Sequence, residues 1–149
     1  MAKNLAAVVE EARLRAFVGR TAEIADFDEA LRGGPPRVLY VHGPGGIGKT
    51  TLLHLFRARA RAAGRPVIAI DARGIDCSPD GVREAYGKAV ANLGESAAGG
   101  ADGRAVLLID GYEHLGPIDG WMRDEFLASV PDGTVVVLAG RTPPSPRWR

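Results

Sequence analysis

Eight consecutive residues restrict this chain more than any other stretch: Gly43-Pro44-Gly45-Gly46-Ile47-Gly48-Lys49-Thr50. They follow a continuous apolar run at 37–41 and lead into a Leu-, Ala- and Arg-rich stretch at 49–63 that reads as a helix. A glycine-dense turn between a strand and a helix start lets backbone N–H groups converge on an anion with no Cβ in the way. The helix N-terminus adds partial positive charge at the same place. In a G-x-x-x-x-G-K-[ST] pattern the lysine, here Lys49, reaches the β- and γ-phosphates of a nucleotide, and the hydroxyl of Thr50 ligates magnesium. Thr51 is placed to touch the α-phosphate.

The rest of the chain supplies a setting for such a turn. Apolar runs at 37–41, 67–70, 105–109 and 134–138 are continuous rather than alternating, which suits a parallel sheet covered on both faces. Helical patterns lie between them at 49–63, 80–93 and 119–130. Two more, 5–16 and 21–31, precede the first strand. In the 119–130 helix, Trp121, Met122, Phe126 and Leu127 fall at helical spacing and read as core. Gly94 to Gly103 is expected to be a surface loop, and the proline-rich tail at 143–146 excludes helix or central strand. Alternating strands and helices predict an α/β fold with right-handed crossovers. The 149 residues allow one domain with a proper core.

Composition excludes more than it selects. A net charge of +1 gives no global basic field for nucleic acid. Only Lys3, Lys49 and Lys88 are lysines, and the many arginines, Arg57, Arg59, Arg61 and Arg65 among them, read as a solvated face. Cys77 is the one cysteine, so it can form no internal disulfide and no cysteine metal site. No apolar run reaches the roughly 18 residues of a membrane span. The N-terminus lacks a signal peptide's long apolar stretch, so cytoplasmic residence is expected. His42 and His54 have no evident partners in the sequence and read as core or surface histidines.

A phosphate-binding turn needs a carboxylate to support its metal, and Val106-Leu107-Leu108-Ile109-Asp110 offers one at a strand's end, similar to a Walker B motif. Asp110 would stand where open α/β sheets bind ligands and hold the Mg²⁺ shell, usually through water. Glu113, three residues on, can present a second carboxylate that orients or deprotonates an attacking water. Arg141 follows the fourth apolar run. With that strand between the 37–41 and 105–109 strands, Arg141 would point toward the γ-phosphate and stabilise developing charge. Thr142 is the alternative there.

Taken together these motifs resemble the STAND class of signal-transduction P-loop ATPases, kin of AAA+ proteins, over nearly the whole chain. Phe17-Val18-Gly19-Arg20, with Glu23 following, is similar to the F-V-G-R-x-x-E segment ahead of the ATPase core in bacterial members, some of which carry a LuxR-type DNA-binding domain. The resemblance implies that Phe17, Val18 and Gly19 shape an adenine pocket, with Arg20 a candidate contact. It implies ATP/ADP and Mg²⁺ as ligands and a three-layer, ASCE-type P-loop NTPase fold with strand order 2-3-4-1. An N-terminal helical segment at 1–34 would precede a core at 35–149 that stops before the family's fifth strand, lid and regulatory domains. The edge at 37–41 would then be open to self-association. Gly111 departs from many relatives, which carry a second acid at that position.

Three functions fit this reading. The first is an ATP switch with slow hydrolysis inside a larger signalling or transcription-regulating protein. The second is a nucleotide-binding interaction module with negligible turnover. The third, a P-loop kinase, lacks an arginine-rich lid and an acceptor pocket. No Asn-Lys-x-Asp motif points to guanine, so adenine nucleotide is the expected ligand. Direct nucleic-acid binding by this segment is not expected.

Overall fold

Runs such as 106–109 and 135–138 hold no polar side chain to face water, so such strands need cover on both sides. The computed structural model describes residues 21–34, 37–43, 47–93 and 105–142, and it shows where that cover comes from. In chain order these residues form α1 (Thr21–Leu31), β1 (Val38–His42), α2 (Ile47–Ala62), β2 (Val67–Asp71), α3 (Pro79–Ala91), β3 (Val106–Asp110), α4 (residues 119–129) and β4 (Val135–Gly140). Short 3₁₀ segments, Ala72–Gly74 and Tyr112–Ile118, follow β2 and β3. The expected helix at 5–16, the segment Phe17 to Arg20, the 94–103 loop and the 143–149 tail lie outside the described residues.

All four strands are parallel, in the order β1-β4-β3-β2. Read from the other edge this is the expected 2-3-4-1. Side chains of the two central strands divide between the faces by strand alternation. Leu107, Ile109, Val136 and Leu138 pack with Val82, Leu115, Met122 and Phe126 beneath α3 and α4. Val106, Leu108, Val135 and Val137 pack with Phe27, Leu52, Phe56 and Ala60 beneath α1 and α2. Phe27 and Phe56 stack at 4.2 Å and join the two helices of that layer. The result is a three-layer α/β domain.

Two local features depart from the sequence reading. The chain enters α3 one residue early, because the side chain of Ser78 accepts a hydrogen bond from the Gly81 N–H and Pro79 takes the first turn. Serine then proline is a favoured helix entry. Within α4, a π-helix over Met122–Phe126 separates α-helical turns at Asp119–Trp121 and Leu127–Ser129. Met122 and Phe126 are fully packed and Trp121 and Leu127 lie half-buried beside them, so the aromatic cluster is core.

Among the described residues β1 has a strand neighbour on one side, β4. Leu39 and Val41 are buried against α1 and α2, and of the strand's large apolar side chains only Val38 is exposed. What this edge leaves open is therefore its outer row of backbone groups rather than a hydrophobic surface.

Candidate functional site

Parallel pairing brings the C-terminal ends of all four strands to one edge of the sheet. His42 is the register partner of Gly140, and Asp71 that of Asp110. Immediately after β1 the Gly43 N–H donates to the Gly140 carbonyl at 3.3 Å, which ties the start of the glycine turn to the end of β4. Pro44, Gly45 and Gly46 lie outside the described residues, and α2 resumes at Ile47. Ile47 and Gly48 are described as backbone only. This helix has no acidic residue in its first turn, so nothing there opposes an anion at its N-terminus.

Lys49 is buried, with 8% exposure, although lysine is rarely buried in folded proteins. Thr50, one residue on, is exposed, and Thr51 is half-buried. Thr50 opens on a cavity of about 240 Å³ whose wall includes His54, Arg57, Asp71 and Asp110. Residues 50 and 110, distant in sequence, thus face one space. A hydroxyl and a carboxylate are the hard oxygen donors that magnesium takes. Among the described residues no group of three or more His, Cys, Asp or Glu side chains could hold a metal ion. Magnesium here would need nucleotide oxygens and water to complete its shell, as it commonly does.

The carboxylate of Asp110 is already engaged. Its Oδ1 accepts from the Gly111 N–H at 2.8 Å, and its Oδ2 accepts from Arg73 Nη2 at 3.4 Å. Arg73 also forks onto Asp71, with Nε 2.9 Å from Oδ1 and Nη2 3.2 Å from Oδ2. Those bonds hold the Asp71 carboxyl below its ordinary pKa. Neither Asp71 nor Arg73 is among the site residues expected from the sequence. The signal was present, because 67–71 is an apolar strand closed by an aspartate, the same pattern that marks 106–110.

Glu113 and Arg141 are also brought together, on the β4 side. Glu113 Oε2 accepts from the Arg141 N–H at 3.2 Å, and Oε1 lies 3.8 Å from Arg141 Nε. Gly140 permits this approach, since a Cβ there would fall 3.2 Å from Glu113 Oε2. The neighbouring Tyr112 is anchored by donating from its hydroxyl to Asp119 Oδ1 at 2.6 Å. Burial and that bond push the Tyr112 phenol up in pKa. Tyr40 stands edge-on to Tyr112 at 5.6 Å. His42 is exposed with its ring 6.5 Å from that of Tyr40. His54 lines the Thr50 cavity, a position its sequence context did not reveal.

A parallel sheet in this order, with a glycine-rich G-x-x-x-x-G-K-T sequence between β1 and α2 and an acid ending β3, defines the P-loop NTPase class. Within that class the chain belongs to the family described as AAA ATPase domain, which matches residues 16–103. The family is one of nucleotide-binding ATPases. Solved structures similar to this chain include the Thermotoga maritima RuvB Holliday junction branch migration motor, at 19% identity over 83% of this chain with a TM-score of 0.47. Two RuvB point mutants of the same organism match at 16% identity over 86% of this chain (TM-score 0.47) and 20% over 83% (TM-score 0.45). The chain covers 38% of the length of each of these RuvB chains. No curated protein matches the sequence. Among the described residues no helix is long and apolar enough to cross a membrane.

Proposed function

We propose that this domain binds ATP and ADP with Mg²⁺ at the C-terminal sheet edge and hydrolyses ATP slowly, as the nucleotide switch of a larger signalling or transcription-regulating protein of the STAND class. The observation that carries the reading is that Asp110 and Thr50, the residue after the buried Lys49, open on one cavity. On this reading the turn from Gly43 to Gly48 cradles phosphates with backbone N–H groups, and Lys49 holds the β- and γ-phosphates. Thr50 and Asp110 would hold magnesium, which would draw charge from the phosphate oxygens. Thr51 would meet the α-phosphate. Phe17, Val18, Gly19 and Arg20, in an N-terminal segment at 1–34, would shape the adenine side of a core at 35–149.

Glu113 is the candidate for orienting the attacking water, and Arg141 for sensing the terminal phosphate. Their pairing links the two roles: a phosphate that attracts the Arg141 guanidinium changes what holds the Glu113 carboxylate. The same pairing favours a second reading, a nucleotide-binding interaction module with negligible turnover, because a carboxylate already engaged by Arg141 is not free to orient an attacking water. A cytoplasmic setting, further domains of the same protein as partners, and weak self-association through the β1 backbone edge belong to the proposal. Direct nucleic-acid or membrane binding by this segment does not.

Titration with labelled ATP, ADP and GTP, with and without Mg²⁺, tests the core of this. Adenine nucleotide binding that disappears in Lys49→Ala is the expected result, and equal binding by that variant would sink the phosphate-loop assignment. Phosphate release then separates the two readings. Hydrolysis that falls by about 10²- to 10⁴-fold in Glu113→Gln supports the switch; no release from wild type or variant supports the binder.

A further inference from the structure

Two strand-ending carboxylates face each other across the sheet's functional edge, and an arginine from the same edge spans them. Asp71 and Asp110 are register partners on adjacent parallel strands, and both line the cavity that Thr50 opens on. Left alone they would repel each other and any phosphate nearby. Arg73 reaches back from the 3₁₀ turn after β2 and offsets part of the pair's negative charge. Its grip is uneven: a two-point fork at 2.9 and 3.2 Å on Asp71, but a single 3.4 Å contact on Asp110.

Gly111 is shaped to this arrangement. It adopts φ +69°, and a Cβ built on it would lie 2.9 Å from Arg73 Cγ. A side chain at position 111, acidic or otherwise, would therefore collide with the arginine stem where it now lies.

We propose that Arg73 is a positioning residue, an internal counter-cation that holds Asp110 until Mg²⁺ arrives with nucleotide and displaces it. The inference rests on the nucleotide-site reading above. Because Asp71 keeps the guanidinium by its fork, Arg73 needs only to give up its weaker contact for Asp110 to turn to the metal. Its side chain is 55% exposed, so solvent is available to the N–H of Nη2 that leaves Asp110 while Nη2 stays on Asp71. Magnesium and Arg73 thus compete for one carboxylate, while Arg73 and nucleotide phosphates cooperate when no metal is present.

Those opposite couplings set the test. Binding of a fluorescent ATP analogue to the full chain is measured across a Mg²⁺ titration and again in EDTA, for wild type, Arg73→Ala and Arg73→Lys, with a thermal melt of each. Arg73→Ala should lower the Mg²⁺ concentration for half-maximal binding by about two- to fivefold, the range for an exposed ion pair. In EDTA it should weaken nucleotide binding, because Asp71 and Asp110 then face the phosphates uncompensated. Arg73→Lys, which keeps the charge without the fork, should fall between and serves if the alanine variant does not fold. A merely structural role would weaken binding in both conditions together, and that result, or no change in either, overturns the proposal. Failure of wild type to bind nucleotide with Mg²⁺ overturns the phosphate-loop reading itself, a different outcome from wild-type binding without the split.

Discussion

Gly111→Ala is a small change with two separable consequences. The backbone at this position is left-handed, with φ +69° and ψ 31°, which costs an L-residue about 1–2 kcal/mol relative to glycine. The added methyl would also lie 2.9 Å from Arg73 Cγ, so the arginine stem must move and its contact with Asp110 is disturbed. The first effect alone should lower the urea midpoint by roughly 0.5–1 M for a domain with an m-value near 2 kcal/mol/M. The second depends on Arg73 being where the structure places it. In an Arg73→Ala background the methyl has no stem to strike, so the Gly111→Ala loss should shrink to the backbone cost. Urea unfolding of the four proteins in this cycle measures both. Equal losses in the two backgrounds would refute the packing of Arg73 over Gly111, and no loss in either would refute the left-handed geometry.

Other outcomes follow from the core and from charge. Phe56→Ala should cost about 3–5 kcal/mol in denaturant unfolding, and a cycle with Phe27→Ala should show about 0.5–1.5 kcal/mol of coupling, because the rings are stacked and fully buried. Additive losses would argue against the stack. Arg73 holds the Asp71 carboxyl below its unfolded value of about 3.9, so its contribution is complete above that pH and lost as pH falls below it through the lower native value. Arg73→Ala should remove that part of the acid sensitivity, which acid titration of Asp71 by NMR would read directly. Ser78→Ala should cost about 1 kcal/mol through the lost cap of α3 and leave nucleotide affinity unchanged; a change in affinity would mean that α3 reports to the site.

The phosphate-loop pattern, the four strands and the helices between them were legible because each is a local property, although β3 and β4 are buried on both faces while β1 and β2 alternate between buried and exposed positions. A run such as 106–109 with no polar residue must be covered on both faces wherever it sits, and a glycine turn before a helix makes an anion cradle in any fold that presents it. The α/β class follows from their alternation. Element ends are less clear: β2 runs one residue past the apolar run at 67–70 and closes on Asp71.

Which side chains meet at the edge was decided by pairing, and the sequence carries no local mark of it. Arg73 contacts Asp110 because β2 lies beside β3 in a register that aligns Asp71 with Asp110. Arg141 meets Glu113 because β4 lies beside β3, with its last residues alongside the turn after Asp110. Periodicity reports how deeply a residue is buried, whereas strand order and register select its neighbours from the far ends of the chain. For that reason an acid closing an apolar strand, such as Asp110, is visible in the sequence, and the guanidinium resting against it emerges only from the folded sheet.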